Sequence, residues 1–466
     1  MLVANPKRNR SRLSRGAAAL CIAAAVIAVP AEATVRSTPV VGGVKVTATA
    51  TAVAFTFRTS FPAHSSVELG TDDTYGLRLR EEGAPSTSHG LVVRGLRPDT
   101  EYRYRVFAAV GSPASELALF RTEPIRPLAA DTVGRVITVD GDPFFPVLGW
   151  AQCADDVDEN LSIGVNVFMG YSPCGPQAEE DLVESVTGRA LTLMPIGSAL
   201  GSLGWHQMDE PDGYGVPPSD LPFPPDRAKT GKVTFLTVTA HFSPLDAPLP
   251  LGKDVYPEYF ARADVVGFDY YTFGKACGKP YAGLAYTFDE HRELMKLTGK
   301  PTFQWIETGP LEGYCLGPDW PQLTPERLAA EVWLAIAAGA TGLGFFTHTW
   351  HTGMWKRFDV APAIADEITR QNARIAALQP ALLAEQVPVR MKARSPVKVG
   401  ARRYGGSLYL VAVNATEQPV TATFRAKGLA AGSRLAVWRE GRTVTVRRTG
   451  VTDRFGPLEV HIYRSS

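Results

Sequence analysis

Between residues 135 and 385, short apolar runs alternate with stretches of helical pattern, and this alternation constrains the fold more than any other feature of the chain. The runs are Phe145–Trp150, Val165–Tyr171, Ala190–Gly197, Leu203–Glu210, Val233–Phe242, Val265–Tyr271, Thr302–Glu307 and Thr341–Thr347. A continuous apolar run of this length, bounded by turn residues, reads as a strand buried on both faces. The stretches between them carry helix punctuation. Leu284 to Thr298 is stopped by Gly299 and Pro301, and Thr324, Pro325 and Gly339 supply an N-cap, an N1 proline and a C-terminal glycine around Glu326 to Ala338. Eight strand–helix units over about 250 residues fit one closed (β/α)8 TIM barrel of the α/β class. An open doubly wound sheet would use fewer strands and usually begin with a Gly-rich phosphate loop, which does not follow the first run.

The flanks are of a different character. Residues 1–33 read as an export signal peptide. Lys7, Arg8, Arg10, Arg12 and Arg15 precede an apolar stretch from Gly16 to Val29, and Ala31-Glu32-Ala33 is a small-residue cleavage site. That stretch is too short to anchor comfortably in a bilayer, so no membrane insertion is expected once it is removed. Residues 35–122 alternate like strands, with turn signals every 8–12 residues. Within them Leu96-Arg97-Pro98-Asp99-Thr100-Glu101-Tyr102 resembles the fibronectin type III pattern, which implies a β-sandwich spacer or binding module. Residues 388–466 return to short strands with glycine and asparagine turns, as a small C-terminal β-sandwich would. Charge is nearly balanced, with 48 Lys+Arg against 47 Asp+Glu, so nucleic acid is not an expected partner.

A carboxylate aimed out of an apolar barrel strand carries a desolvation penalty, so acids at run ends are informative. The fourth run ends in Trp205-His206-Gln207-Met208-Asp209-Glu210-Pro211, and the seventh in Phe303-Gln304-Trp305-Ile306-Glu307. In these residues, and in the opening Ile137 to Trp150, the region 135–385 resembles the clan A glycoside hydrolases, retaining enzymes on (β/α)8 barrels. Their acid/base ends the fourth strand and their nucleophile the seventh. The resemblance implies Glu210 as general acid/base and Glu307 as nucleophile, acting on a polysaccharide or oligosaccharide. Glu210 would then need a raised pKa, with Trp205, Met208 and the charge of Glu307 pushing it upward. Asp209 stands where the family has an Asn that holds the sugar's 2-hydroxyl, and the second run supplies no Arg to orient the nucleophile. These two departures motivate the alternative of a non-catalytic carbohydrate-binding or surface-attachment protein on the same barrel. An esterase or lyase would need a nucleophilic Ser or a metal site, and neither motif is evident.

The resemblance also implies a sugar-binding surround. Tyr270 and Tyr271 end the sixth run, where the family often places a Tyr on the nucleophile, and the residues alone do not choose between them. Trp350, after the eighth run, matches the aromatic that floors the sugar site. Trp150, Trp205 and Trp305 are further stacking candidates, and His241 and His206 could bond hydroxyls. No metal or cofactor is expected, because no metal-ligand spacing occurs. Of the five cysteines, Cys153, Cys174, Cys277 and Cys315 follow the leader. Three pairings are open, and the loop order could clamp Cys153 to Cys174 and Cys277 to Cys315.

Overall fold

The computed structural model describes residues 38–81, 83–109, 111–124, 127–170, 174, 177–240, 242, 251–275, 280–309, 322–351 and 354–465. Residues 1–33, read above as an export signal, and His241, Cys277 and Cys315 lie outside them. Eight parallel strands close into a barrel in chain order. They are β1 (Val147–Gln152), β2 (Val167–Gly170), β3 (Leu191–Pro195), β4 (Gly204–His206), β5 (Val233–Thr239), β6 (Val265–Asp269), β7 (Thr302–Glu307) and β8 (Gly342–Phe346). Seven of the eight expected runs therefore contain a barrel strand, and the first, Phe145–Trp150, overlaps β1, which continues to Gln152. The β8–β1 pairing, Val147 opposite Leu343, closes the ring. Helices on the outside are α1 (Val157–Ser162), α2 (Ala178–Val186), α3 (Arg227–Thr230), α4 (Tyr256–Ala261), α5 (Thr272–Lys275), α6 (Pro280–Thr298), α7 (Pro325–Ala338) and α8 (Pro362–Leu382). The proline-rich connection Gly213 to Pro225 leaves a 3-10 turn, Pro218–Asp220, and the single α-helical turn α3 between β4 and β5.

The ends of α7 follow the expected chemistry. The Thr324 side chain accepts the Arg327 N–H, Pro325 takes the first turn, and Gly339 stops the helix at a φ of 129°. Inside the barrel, side chains from alternate positions fill the space. Phe303 and Trp305 cross it from β7, and glycines opposite make room for them. A Cβ on Gly344 would stand 2.2 Å from the Trp305 ring, and one on Gly267 would stand 2.4 Å from Phe303. The Trp305 indole N–H donates to Thr237 Oγ1 at 3.0 Å, so its one polar atom is satisfied. At the N-terminal end of the strands, a meander of Ala130–Val133, Val136–Val139 and Asp142–Phe144 contributes Ala130 and Ile137 to the interior cluster, plugging that end.

The flanking units are antiparallel sandwiches. Val41–Ala48, Ala52–Ala63 and Ser86–Arg94 form one N-terminal sheet. Leu77–Arg80, Ser66–Gly70, Glu101–Phe107 and Ala118–Arg121 form the other. In the Leu96 to Tyr102 turn, the Arg97 N–H donates to the Tyr102 hydroxyl at 2.8 Å. The C-terminal unit pairs a six-stranded sheet with a three-stranded one and packs on α7. Among the described residues, no helix is long and apolar enough to cross a membrane.

Gly344 carries a direct consequence of this packing. Gly344→Ala should lower stability by about 1–3 kcal/mol, because the methyl and the Trp305 ring cannot share the space. Urea unfolding of the variant checks it, and an unchanged midpoint would contradict the interior arrangement.

Candidate active site

The C-terminal mouth of the barrel gathers acids around one phenol. Tyr271, just past β6, is buried, and its pKa lies well above the usual value for tyrosine. Burial is the main cause, followed by the charges of Asp269, Glu210, Asp209 and Glu307. Acids from the turn after β4 and from the ends of β6 and β7 thus bear electrostatically on a hydroxyl that stays protonated and can donate. Tyr270 turns the other way. Its ring packs on Tyr286 of α6 at 4.8 Å, in the layer between barrel and helices. Strand alternation makes this division, and it settles which of the two tyrosines reaches the mouth.

The two glutamates are held by different means. The β4 strand stops at His206, three residues short of Asp209, so Asp209 and Glu210 stand on the following turn and not on the strand end the sequence suggested. Glu210 there has a φ of 43°, a left-handed conformation that costs a non-glycine residue about 1–2 kcal/mol. Its N–H donates to the Thr237 carbonyl at 3.2 Å, and its own carbonyl accepts from Gly213 and Tyr214. Asp212 anchors this turn from below. Its carboxyl accepts the Thr239 N–H at 3.0 Å, the Thr239 hydroxyl at 2.6 Å and the Tyr256 hydroxyl at 2.7 Å. Strain fixed by three hydrogen bonds is a mark of a positioned side chain.

Glu307 is the last residue of β7 and is only 2 % exposed. Its Oε1 accepts the Phe273 N–H at 2.6 Å. A second acid meets it from outside the barrel. Glu331, on α7 and equally buried, hydrogen-bonds Glu307 and lies against the hydroxyl and N–H of Thr272. Two carboxyl groups make such a contact only if a proton sits between them. With both ionised, repulsion at about 4 Å would cost about 4 kcal/mol at an effective dielectric of about 20. Holding one carboxyl protonated at neutral pH costs about the same, roughly 2.7 pH units at 1.36 kcal/mol each. The further penalty of burying a second charge decides the matter. Burial first, and then the charge of Glu307, push the Glu331 pKa well above the ordinary carboxylate range.

Beside the acids, a cavity of about 250 Å³ is lined by Trp150, Met169, Pro195, His206, Asp209 and Thr237 among others. This is slightly below the roughly 300–1,000 Å³ of sites for drug-sized ligands, and it suits something smaller. Trp150 packs on Phe346 at 5.1 Å, and Phe346 on Tyr271 at 6.0 Å, so the mouth has a continuous aromatic wall. Beneath Trp150, the His348 Nε2–H donates to the Trp150 carbonyl over 2.9 Å, and burial drives its pKa down to about 4. His206 sets its two ring nitrogens against the Gln207 and Gly170 carbonyls, and burial lowers its pKa as well. Cys153 and Cys174, after β1 and β2, are joined, with Cα atoms 5.7 Å apart.

Other sequence candidates lie elsewhere. Trp205 is in register with Met194 and Thr234 on the outer side of the wall, donates to the Ser198 carbonyl at 2.7 Å and takes Lys232 on its ring. It therefore faces away from the mouth. Trp305 is barrel filling, 2 % exposed, below the acids and not a stacking surface. Trp350 has its backbone in the short strand Thr349–His351, and its side chain, like all of His241, lies outside the described residues. Sequence reading missed Asp269, Phe346 and Glu331. The signal for Glu331 is plain in retrospect: one Glu inside Leu328-Ala329-Ala330-Glu331-Val332-Trp333-Leu334-Ala335.

No protein-family model and no curated protein sequence matches the chain. Among solved structures, the fold is similar to a putative alpha-galactosidase from Bacteroides fragilis NCTC 9343 at 11 % identity and a TM-score of 0.44, covering 92 % of this chain and 98 % of that one. AmyP in complex with maltose is similar at 11 % identity and 0.42, over 67 % of this chain and 88 % of that one. The alpha-amylase of Geobacillus thermoleovorans, complexed with acarbose, is similar at 12 % and 0.40, over 67 % and 91 %. The barrel is established by its own strand pairing.

The strained turn can be checked on its own. Glu210→Gly should unfold at or above the wild-type temperature, because glycine tolerates a φ of 43°, whereas Glu210→Val should unfold below it. Thermal denaturation in the reverse order would remove the strain.

Proposed function

We propose that this chain is an exported glycoside hydrolase that cleaves a polysaccharide or oligosaccharide with retention at the anomeric carbon. The supporting observation is that the charges of Glu210, on the turn after β4, and of Glu307, at the end of β7, both help raise the pKa of the one buried Tyr271. In this reading Glu210 protonates the glycosidic oxygen while Glu307 attacks the anomeric carbon and forms a glycosyl-enzyme. Glu210 then takes a proton from water, which hydrolyses that ester. The Tyr271 hydroxyl donates toward the attacking carboxylate, and Trp150 offers an aromatic face to the sugar beside the cavity. Asp209, which lines that cavity, can accept from a sugar hydroxyl but not donate to a ring substituent. Export rests on residues 1–33.

A second reading, a carbohydrate-binding protein on a barrel without chemistry, is favoured by the deep burial of Glu307 beneath Phe273 and Glu331. The two part company on turnover. Screened against aryl glycosides and oligosaccharides, the enzyme should hydrolyse at least one. Glu307→Gln should lose essentially all of that activity, and Glu210→Gln about 10²–10⁴-fold in kcat. Full activity in Glu307→Gln would end the proposal, and glycan binding with no hydrolysis by wild type would establish the second reading instead.

A further inference from the structure

Glu331 contacts the proposed nucleophile from a place where no substrate can reach. It sits on α7, outside the barrel wall, 3 % exposed, between Glu307 and Thr272. We propose that Glu331 is a positioning residue that donates a permanent hydrogen bond to Glu307, orienting that carboxylate and steadying its ionised form. The proposal rests on the reading of Glu307 as nucleophile.

Among the described residues, the cations of the neighbouring elements have partners of their own. Arg327, one turn earlier on α7, is ion-paired with Glu417 at 2.6 Å and stacks on Phe273. On α8, Glu367 is engaged by Arg370 and Gln371, and Arg374 lies over Trp333 and Trp438. Arg402, from the C-terminal sandwich, donates to the Ile336 carbonyl. On α6, His291 is held neutral by burial, with a pKa of about 3, and bonds Thr302; its neighbour Glu290 is buried too. From the barrel side come Asp269 on β6, Asp209 and Glu210 after β4, and Tyr271 just past β6, on which the charges of those acids act. Glu307 is the charge that bears on Glu331. A cation there would pair with Glu307 and blunt it as a nucleophile, whereas a neutral acid donates without neutralising.

Two variants of the full mature protein test this. Glu331→Gln keeps a donor, and Glu331→Met fills the space without one. In pH profiles of kcat/KM, the acid limb of Glu331→Gln should stay near wild type, while that of Glu331→Met should move up by about one pH unit, a tenfold loss at the foot of the curve, with KM little changed. A Glu331→Met limb superimposed on wild type overturns the role. Should Glu331→Met fail to fold, unfolding of Glu331→Gln decides. The native state prefers Glu331 protonated, so its contribution to stability is complete below the unfolded pKa of about 4.3 and is lost as pH rises toward the native value. Wild type should thus weaken with rising pH relative to Glu331→Gln, and parallel curves overturn the shared proton. A fully active Glu307→Gln overturns the nucleophile and the role together, while an inert Glu307→Gln with superimposed limbs overturns only the role of Glu331.

Discussion

Carboxyl groups taken out of water repel one another strongly, and the mouth of this barrel brings the charges of Asp209, Glu210, Asp269 and Glu307 to bear on the buried Tyr271, with Glu331 against Glu307 behind it. The structure meets that constraint by giving each acid a different kind of support. Glu307 has the Phe273 N–H and a neutral carboxyl, and Glu210 has a turn locked by Asp212. Tyr271 is shared. Such an arrangement destabilises the fold locally, and nothing in barrel architecture alone requires it. Its persistence against several kcal/mol of desolvation is the physical argument that the mouth is a functional site.

Much of this fold was legible in the sequence, because a strand covered on both faces must be apolar throughout and a helix end must find partners for its backbone. The eight runs and the Thr324, Pro325 and Gly339 signals follow from those two demands. The extent of strands was less legible. The run Leu203 to Glu210 reads as one strand, but only Gly204–His206 pairs, since the left-handed Glu210 and Pro211 cannot continue a ladder. Nor does composition reveal which tryptophan faces inward. Trp205 and Trp305 both sit on strands, and register alone sends one to the outer wall and the other into the barrel.

Glu331 shows the opposite failure. On a half-exposed helix, one Glu among alanines and leucines reads as a solvent-facing residue, and most such residues are. What makes it otherwise is α7 itself. Every residue from Ala330 to Ala338 is buried, so past its first turn no face of the helix meets water. An apolar stretch wrapped all round a helix means that the helix is covered on every side.

The cover on the outer side is the C-terminal sandwich. Gly400 comes so close that a Cβ there would stand 2.0 Å from the Ala337 carbonyl, and Arg402 caps the carbonyl of Ile336. Val411, Val413, Leu458 and Ile462 join the cluster that contains the α7 side chains. Without that sheet, one side of α7 would be wet, and water would solvate the carboxyl at position 331 and relieve the pressure to keep its proton. The sandwich therefore has a physical link to the mouth although it contributes no residue to it: by excluding water from α7, it helps keep Glu331 neutral against Glu307. A barrel helix that packs against a second domain along its whole outer face gives that domain leverage over the electrostatics inside.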